Sequence, residues 1–356
     1  MNGRTGESVK ARTPRGFAAR LIAWQKREGR HGLPWQATRD PYAVWISEIM
    51  LQQTRVATVI PYYRRFMARF PDVRTLAAAA LDDVLARWSG LGYYSRARNL
   101  HRAAQAIVAD HGGRFPRGFE AVLALPGIGR SSAAAICAFA FRQRHAILDG
   151  NVKRVLARHF GVPGHPGDKR VADALWRKAA RLLPARGIAA YTQGLMDLGA
   201  GVCTRGQPRC ARCPVSGSCV ARRRGLITEL PARRPKKATP HRKTVMLVLR
   251  CAREILLEKR PATGIWGGLW CFPEAAAGED FEALCARRFG AQVSALAPLP
   301  VLEHGFTHFR LSIVPQPMRV TRIVPRATEP GCIWLTVEAA RRAAIPAPVK
   351  CILEAL

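Results

Sequence analysis

Four cysteines within one short stretch place the strongest constraint on this chain. They are Cys203, Cys210, Cys213 and Cys219, spaced C-x6-C-x2-C-x5-C. Because the four thiolates lie in one loop, each can reach a common centre without help from distant parts of the fold, which is typical of a metal site. The spacing alone leaves zinc and an iron–sulfur cluster open as occupants. The six other cysteines are scattered in apolar settings, which indicates buried, reduced thiols.

The charge balance points to a polyanionic partner. The chain has 57 Lys and Arg residues against 24 Asp and Glu residues, a net charge of +33. Such an excess repels itself unless a polyanion neutralises it. Arginines also flank the cysteine loop, where they would present positive charge to a phosphate backbone. DNA or RNA is therefore the predicted partner, with an anionic membrane as the rival.

The chain shows no sign of membrane insertion or export. No window reaches the roughly 18 uncharged apolar residues of a membrane-spanning helix. The basic N-terminus has no apolar stretch of the kind found in a signal peptide. We expect a cytoplasmic protein, associated with the nucleoid if its host is bacterial.

The composition predicts two structured domains with short connecting segments. Residues 1–15 read as a disordered basic arm. Residues 16–224 read as a compact all-α region, because apolar residues recur at a spacing of three and four in runs such as FAARLIAWQKR and VADALWRKAARLLP. Residues 225–243 are basic and contain prolines, which predicts an extended linker.

Residues 244–356 have a different sequence pattern, which predicts a separate α/β domain. TVMLVLR and EILLEKR are short β-like runs joined by a tight turn, and RLSIVPQPMRV is a further strand. FEALCARRF and PVKCILEAL are predicted helices.

A glycine-rich turn between two helical stretches supplies a candidate phosphate site. In the sequence LPGIG, Gly127 and Gly129 permit a tight turn with exposed backbone N–H groups before a helix N-terminus. This is a helix-hairpin-helix pattern, with a plain interhelical turn as the alternative. Further along, ILDGNVKRVLAR places Asp149 at the start of a helix, where a helix-capping role is the alternative to a chemical one.

The hairpin, the downstream aspartate and the cysteine loop, in that order, resemble the endonuclease III superfamily of base-excision DNA glycosylases. Within it, LPWQATRDPYAVWISEIMLQQTRVATVIPYYRRFMARFP and WSGLGYYSRARNLHRAA resemble the MutY family of adenine DNA glycosylases. The resemblance is dense over residues 16–224 and looser over residues 244–356. It implies an all-α helix-hairpin-helix glycosylase domain with a [4Fe–4S] loop, followed by a C-terminal α/β Nudix-like domain. The cluster then becomes the favoured occupant of the cysteine loop over zinc.

The resemblance implies excision of adenine mispaired with 8-oxoguanine or guanine in double-stranded DNA, by hydrolysis of the N-glycosidic bond. Glu48 matches the general acid, which would protonate the adenine N7 and then activate water. Asp149 matches the carboxylate that stabilises the oxocarbenium-like sugar. Asn151 matches a neighbour that helps to hold the site. Because apolar residues surround Glu48 in WISEIML, we expect a raised pKa for its carboxyl group.

The position of Ser131 implies a glycosylase without strand-cutting activity. It follows the hairpin where lyase-competent relatives carry a catalytic lysine, and a serine cannot form the Schiff base that cuts the strand. Lys153 lies nearby in the sequence, but we expect it to contact phosphate.

The resemblance also implies residues that contact the duplex. Gln52, Gln53 and Thr54 match a loop that enters the duplex where the adenine leaves. Tyr93 matches an aromatic residue that wedges beside the damaged base. The residues that match the lining of the adenine pocket are Leu33 and Trp35.

The C-terminal domain matches a lesion-reading domain. Its family reads 8-oxoguanine through a Phe-Ser-His turn, which corresponds here to Phe306, Thr307 and His308, with threonine as a departure. The alternative is that the phenylalanines pack in a core and the histidine is an ordinary surface residue. The glutamate-rich helix of Nudix hydrolases is missing from the sequence, so pyrophosphate hydrolysis is not expected.

Three other functions stay open from the sequence. They are a thymine or oxidised-pyrimidine glycosylase on the same scaffold, a DNA-binding iron–sulfur redox sensor, and a Nudix hydrolase with a DNA-binding appendage. We also expect a monomer, because the sequence shows no oligomerisation seam.

Overall fold

The computed structural model of the protein describes residues 15–234, 238–323 and 331–356. The predicted basic arm lies outside these residues except for its last position. By contacts between Cα atoms the chain forms two compact units. One consists of Met1–Gln52 and Phe115–Pro235, and the other of Gln53–Arg114 and Lys236–Leu356. This division differs from the linear domain boundaries that the sequence suggests, which stay a prediction.

The first two thirds of the described chain are helical, as the sequence predicts. The helices are α1 Arg15–Glu28, α2 Pro41–Leu51, α3 Val56–Arg69, α4 Val73–Ala78, α5 Leu81–Trp88, α6 Ser95–His111, α7 Phe119–Ala124, α8 Arg130–Phe141, α9 Gly150–Phe160, α10 Lys169–Arg181, α11 Ile188–Asp197 and α12 Val220–Arg223. A π-helical turn over Leu198–Val202 and short 3-10 turns over Pro34–Gln36, Cys210–Arg212 and Ser216–Ser218 lie between them.

The remaining elements alternate between strands and helices. They are β1 His241–Cys251, β2 Glu254–Lys259, β3 Trp270–Cys271, β4 Glu274–Ala275, α13 Phe281–Phe289, β5 Ala291–Ala295, β6 Leu302–Gly305, β7 Arg310–Ile323, β8 Cys332–Thr336, α14 Val337–Arg342 and α15 Ala347–Glu354. The predicted strands and helices of this part of the chain are confirmed.

The first unit is held together by an apolar core between its helices. On α9 the buried side chains of Val152, Val155 and Leu156 lie on one face, at the spacing of three and four that a core-facing helix requires. They pack with buried residues of other helices such as Leu21 and Tyr191. Full burial of one such side chain contributes about 1.5–3 kcal/mol, so this core fixes the position of α9 and of the residue that begins it.

Helices α3–α6 belong to the second unit and pack around aromatic side chains. The ring centroids of Phe66 and Phe70 lie 4.9 Å apart, and those of Phe66 and Trp88 lie 6.0 Å apart. The apolar pattern that runs from α5 into α6 is interrupted between the two helices. There Gly90 and Gly92 have φ values of 98° and 71°. Such positive φ values favour glycine and are incompatible with a continuing helix, so the chain leaves the helical path after α5.

Among the described residues, eight strands form one mixed sheet in the second unit. Its main path runs β3-β2-β1-β7-β5, with β1 and β7 parallel and in register from His241 opposite Arg310 to Arg250 opposite Arg319. The β1–β2 hairpin closes with Cys251 opposite Glu254. This mixed sheet with flanking helices confirms the predicted second fold class.

Polar contacts fasten the sheet to the helices of its own unit. The Lys259 ammonium donates to both carboxylate oxygens of Asp82 on α5, at 2.7 and 2.8 Å, and the Trp270 indole N–H donates to the same carboxylate at 3.3 Å. The Ser89 hydroxyl donates to the Ile345 carbonyl at 2.6 Å. The strands and helices α3–α6 are therefore parts of one packed unit.

Among the residues that the structure describes, no helix has the length and hydropathy needed to span a membrane.

Candidate active site

Glu48 lies on a helix that is almost wholly buried. Asp40 caps the N-terminus of α2 by accepting hydrogen bonds from the backbone N–H groups of Tyr42 and Ala43, at 3.2 Å each. The side chains on either side of Glu48, Ser47 and Ile49, are buried, whereas Glu48 itself is half-buried. The apolar residues around Glu48 in the sequence therefore form a largely desolvated environment, and the Glu48 side chain keeps some contact with solvent.

This environment raises the pKa of the Glu48 carboxyl group to about 8. Burial is the larger cause, because it disfavours the charged form, and the negative charge of Asp149 is the second. The rise agrees in direction with the expectation from the sequence. At neutral pH Glu48 therefore carries a proton that it can donate.

Asp149 occupies the N-cap position of α9. Its carboxylate accepts a hydrogen bond from the Val152 N–H at 2.8 Å. Burial raises the pKa of Asp149, whereas the N–H groups of Val152 and Asn151 and the guanidinium of Arg154 act in the opposite direction by stabilising the ionised form. The capping role that the sequence left as an alternative is thus present, on a carboxylate that also interacts with Glu48.

The two carboxyl groups therefore interact electrostatically within the first unit. One is a protonated acid and the other is a hydrogen-bonded, helix-capping carboxylate. Two titratable groups with different environments can divide acid and charge-stabilising work between them. This pair can protonate a leaving group and stabilise a neighbouring positive charge.

The backbone before Asp149 is held by the serine of the hairpin helix. The Leu148 N–H donates to the Ser131 Oγ at 2.5 Å. Ser131 is the second residue of α8, which packs against α2. The same helix therefore contacts the element that carries Glu48 and holds the residue that precedes Asp149.

Asn151 belongs to a network that runs from α9 to the cysteine loop. The Arg154 guanidinium donates to the Asn151 Oδ1 at 2.8 Å, to the Gly199 carbonyl at 2.7 Å and to the Cys203 carbonyl at 2.7 Å. Gly199 lies in the π-helical turn, and a Cβ atom added there would lie 2.6 Å from the Asn151 Cβ. Only a residue without a side chain fits this approach.

The four cysteines of the loop line a single cavity of about 30 Å³. The described part of the chain has no group of three or more His, Cys, Asp or Glu side chains arranged to hold a single metal ion. The donor set consists of thiols alone, which suits a soft metal or an iron–sulfur cluster. The residues therefore fit a thiolate-bound group placed between them.

A buried arginine supports this loop from α9. Arg158 is 4% exposed and donates to the carbonyls of Thr204 and Leu230, at 2.7 and 2.8 Å. Its guanidinium also lies 3.5 Å from the Cys203 Sγ. A positive charge in this position would stabilise a thiolate. From the sequence, such an arginine counts only as part of a DNA-binding charge.

The hairpin between α7 and α8 has the predicted turn. Gly127 has a φ of 78°, and Gly129 is the N-cap of α8 with no side chain to occupy the helix end. The Ile128 side chain between them is buried and its N–H donates to the Leu125 carbonyl. The N–H groups at the start of α8 form a suitable site for an anion such as phosphate.

The predicted lining of the base pocket also lies in the first unit. Trp35 is buried and Leu33 is half-buried, on the 3-10 turn that follows α1. Just before this turn, Arg30 donates to the buried carboxylate of Asp197 at 2.6 Å through its side chain and at 2.9 Å through its backbone N–H. The ion pair fixes the start of the loop that carries Leu33. No sequence pattern reveals it, because its partners are distant in the chain.

The predicted duplex-entering residues include two with strained backbones. Gln53 has a φ of 60° and Tyr93 has a φ of 49°. For residues with a side chain, this left-handed region costs of the order of 1–3 kcal/mol and is maintained only by the surrounding structure. Tyr93 is also 45% exposed, whereas large apolar or aromatic side chains are mostly buried in this protein. Gln52, which precedes Gln53, donates a hydrogen bond to the Ser132 hydroxyl at 3.0 Å.

Arg96, on the first turn of α6, is 7% exposed. Its Nη2 donates to the Thr54 Oγ1 at 3.1 Å, to the Gly92 carbonyl at 3.0 Å and to the Leu91 carbonyl at 3.3 Å. Burial lowers the pKa of Arg96 to about 10, so the side chain is still charged at neutral pH. No pattern in the sequence distinguishes this residue from the other arginines.

The predicted lesion-reading turn lies between β6 and β7 of the second unit. Thr307 and His308 are exposed, and Phe306 is half-buried and stacked on the buried Phe309 with 4.4 Å between ring centroids. The Tyr93 hydroxyl lies 3.1 Å from the Thr307 Oγ1. The structure thus brings Tyr93 and Thr307 together, whereas the alternative of a core position applies to Phe309.

Two family descriptions match different parts of the chain. Residues 46–181 match the HhH-GPD superfamily of base excision DNA repair proteins, and residues 244–355 match the NUDIX domain. The first range contains both carboxyl groups, and the second contains the sheet except for the first residues of β1.

Several curated proteins match nearly the whole chain. An adenine DNA glycosylase of Buchnera aphidicola subsp. Acyrthosiphon pisum is 36% identical over 339 residues, which are 95% of this chain and 97% of that protein. The adenine DNA glycosylase of Homo sapiens is 33% identical over 399 residues, with 94% of this chain and 72% of that protein covered.

Two solved structures each match more than half of the chain. A thermostable thymine-DNA glycosylase is 29% identical, with a TM-score of 0.53, and the match covers 58% of this chain and 95% of that one. An endonuclease III bound to DNA without a covalent link is 19% identical, with a TM-score of 0.51, and the match covers 59% of this chain and 95% of that one. This second similarity shows the shared fold.

Proposed function

The chain belongs to the adenine DNA glycosylase family of base excision repair enzymes, and we propose that it excises adenine paired with 8-oxoguanine or guanine in duplex DNA. The reaction hydrolyses the bond between the sugar C1′ and the adenine N9. The coverage of relatives supports adenine as the base. The two adenine DNA glycosylases described above match 95% and 94% of the chain, whereas the thymine-DNA glycosylase structure matches 58% of it.

The observation that carries this proposal is the pairing of a protonated Glu48 with Asp149. Because the pKa of Glu48 is about 8, its proton is available at neutral pH. Transfer of this proton to N7 makes adenine a better leaving group, and the C1′–N9 bond then breaks with its electron pair moving to the base. The Glu48 carboxylate formed in this way accepts a proton from the attacking water, whose hydroxyl group joins C1′.

Asp149 stabilises the positive sugar that forms between these two events. Its carboxylate is fixed by the Val152 N–H, so it does not have to be ordered during the reaction. The Asn151 side chain, held by Arg154, supports the same end of α9. We infer that the α9 N-terminus is the part of the site that remains fixed while the base departs.

We infer that the enzyme releases the base without cutting the strand. Ser131 occupies the position expected for a lyase lysine, and its Oγ accepts the Leu148 N–H. A hydroxyl group at this position cannot form a Schiff base with the sugar. The product is then an abasic site in an intact strand.

Recognition of 8-oxoguanine is assigned to the turn of Phe306, Thr307 and His308. The Thr307 hydroxyl is exposed and can donate or accept a hydrogen bond. Its contact with Tyr93 supports a role for both residues beside the lesion. Threonine keeps the hydroxyl of the family's serine, and its extra methyl group changes the space available to the base.

Contacts with DNA outside the lesion are assigned to backbone N–H groups and to positive charge. The hairpin at Gly127 and Gly129 would hold one phosphate, and Lys153 would contact another.

The Gln52–Thr54 loop would fill the space left by the adenine. We propose that the protein acts as a monomer.

A [4Fe–4S] cluster is the proposed occupant of the cysteine loop. Cys203, Cys210, Cys213 and Cys219 would ligate it, and Arg158 would offset part of its charge. When bound, the cluster supplies a rigid centre for the loop. Iron and acid-labile sulfide in the purified protein test this assignment, and an active protein that contains zinc instead would contradict it.

Incubation with a duplex that carries adenine opposite 8-oxoguanine tests the function. We expect strand breaks only after treatment with alkali, because the enzyme leaves an abasic site. Breaks without alkali would show lyase activity, and tight binding without breaks would indicate the redox-sensor alternative. A matched duplex with thymine opposite guanine tests the pyrimidine alternative.

A further inference from the structure

We propose that Arg96 is a positioning residue that holds two duplex-entering segments, Gln53–Thr54 and Gly92–Tyr93, in one arrangement before DNA binds. The inference rests on the proposed function, because that function gives these segments their contact with the duplex. Arg96 would act through them and would not touch the DNA itself.

The hydrogen bonds of Arg96 join the two segments directly. One nitrogen, Nη2, lies 3.1 Å from the Thr54 Oγ1 and 3.0 Å from the Gly92 carbonyl oxygen. Thr54 and Gly92 are far apart in the sequence, so their common contact sets the distance between the two segments. The Trp88 indole N–H donates to the same Gly92 carbonyl at 3.2 Å, which adds a second support from α5.

Each residue that Arg96 holds is the neighbour of a strained one. Gln53 precedes Thr54 and has a φ of 60°, and Tyr93 follows Gly92 and has a φ of 49°. Left-handed residues with side chains persist only where surrounding contacts determine the backbone. We infer that the bonds of Arg96 supply these contacts at both places.

The surroundings of Arg96 require its planar guanidinium. Its central carbon lies 5.3 Å from the centroid of the Trp88 ring and 5.6 Å from that of Tyr93. A planar, delocalised cation can contact aromatic faces and donate in several fixed directions at once, whereas an ammonium is a compact point charge. A side chain that is 7% exposed and engaged in this way is also poorly placed to bind phosphate.

A fixed arrangement of the two segments would favour extrusion of the base. The enzyme would have to insert side chains beside the lesion at the moment when the adenine leaves the stack. If both segments are ordered beforehand, little conformational entropy is lost at that step. Loss of Arg96 should therefore affect extrusion and the subsequent chemistry more than the initial encounter with DNA.

The test compares two substitutions that leave the charge unchanged, Arg96→Lys and Arg102→Lys. Arg102 lies on the same helix, is exposed and donates to the Asn99 side chain at 2.9 Å. Two quantities are measured with enzyme in excess over duplex. One is the single-turnover rate of adenine excision opposite 8-oxoguanine, and the other is the fluorescence of 2-aminopurine placed at the target position.

We expect Arg96→Lys to lower the single-turnover rate about 10–100-fold, as for a lost positioning contact. The fluorescence rise at saturation should be smaller than for wild type, while the circular dichroism spectrum is unchanged. Arg102→Lys should match wild type in both measurements. A folded Arg96→Lys protein with wild-type rate and fluorescence would overturn the proposal. So would a reduced rate with a full fluorescence rise, because extrusion would then not depend on Arg96.

A second variant protects the test against a folding defect. Thr54→Val keeps the shape of the side chain but removes the oxygen that accepts from Arg96. We expect a smaller loss of rate and of fluorescence, and a double variant with Arg96→Lys that loses less than the product of the two single effects. Independent effects would contradict the shared contact. If the wild-type protein itself releases no adenine, the proposed function fails, whereas an active wild type with unaffected variants refutes this inference alone.

Discussion

The backbone N–H of Leu148 donates to the hydroxyl oxygen of Ser131 at 2.5 Å, one residue before the carboxylate of Asp149. The bond links the second residue of α8 to the segment that leads into α9. Serine at this position therefore has a structural consequence besides the exclusion of Schiff-base chemistry. It holds the backbone from which the proposed charge-stabilising carboxylate projects.

Replacement of Ser131 by alanine should slow excision without a comparable loss of binding. The Leu148 N–H, which belongs to a buried residue, would lose its acceptor, and such a loss costs about 1–3 kcal/mol. We expect a roughly 5–50-fold lower single-turnover rate, because Asp149 would be less well placed. A rate measurement at saturating enzyme, paired with a titration of the same duplex, separates the two effects. Ser131→Thr keeps the oxygen and should retain most of the rate, and an equal loss in both variants would argue against the hydrogen bond.

Replacement of Glu48 by glutamine should abolish the acid step while it stabilises the fold. Loss of a general acid lowers a rate about 10²–10⁴-fold, and lesion binding should persist. In the wild type, excision should decline as the pH rises through about 8, because the carboxyl group then loses its proton.

The effect of Glu48 on stability has a defined sign. Its pKa is about 8 in the folded protein and 4.5 as the unperturbed value. Between these values the folded state binds more protons than the unfolded state, so the wild type loses stability as the pH rises from about 4.5 to 8. Glu48→Gln removes this loss, and we expect it to unfold with a free energy about 1–3 kcal/mol higher at pH 8, reduced from the full linkage because Glu48 is partly exposed. Equal stability of the two proteins at pH 5 and at pH 8 would contradict the burial of Glu48.

Local patterns in the sequence were sufficient for the elements that carry the proposed site. The apolar residues around Glu48 predict a desolvated carboxyl group, and α2, which carries it, is almost wholly buried. Asp149 at the start of a helical pattern predicts an N-cap, and its carboxylate accepts the Val152 N–H. The glycines of the hairpin predict a turn, and Gly127 has a left-handed φ. Each of these features depends on neighbours within a few residues, which is why the sequence reveals it.

Features that depend on distant partners were not predictable. The charge count treats every arginine alike, yet Arg96 and Arg158 are buried and donate mainly to backbone carbonyls. The Arg158 guanidinium reaches the carbonyl of Leu230, a contact between residues 72 positions apart. Helical periodicity likewise shows where α3–α6 form, but it does not show that they share a packed unit with the C-terminal sheet. Tertiary contacts decide both points.

The close approach of Gly199 to Asn151 predicts a contrast between two glycines of the same π-helical turn. An alanine Cβ at Gly199 would lie 2.6 Å from the Asn151 Cβ and 3.2 Å from its backbone, whereas one at Gly201 would meet nothing within 4 Å. Forcing a methyl group into a packed site costs about 1–3 kcal/mol.

We therefore expect Gly199→Ala to lower the melting temperature and the rate of excision, since Asn151 lies two residues after Asp149. Gly201→Ala should behave as wild type in thermal unfolding and in single-turnover assays. Equal behaviour of the two variants would show that α9 can move away at little cost.

The contact between Tyr93 and Thr307 predicts how the protein distinguishes the base opposite adenine. Their hydroxyl oxygens lie 3.1 Å apart, so lesion binding has to compete with or extend this contact. Thr307→Ala should reduce the preference for 8-oxoguanine over guanine about 3–30-fold, within the range of one or two hydrogen bonds, and should leave excision opposite guanine nearly unchanged. Tyr93→Phe keeps the ring but removes the hydroxyl, and it should alter the preference in the wild type more than in the Thr307→Ala background. Rates for both duplexes, measured with the wild type, the two single variants and the double variant, give the coupling between Tyr93 and Thr307. An equal loss of rate opposite 8-oxoguanine and opposite guanine after Thr307→Ala would exclude a lesion-reading role for this turn.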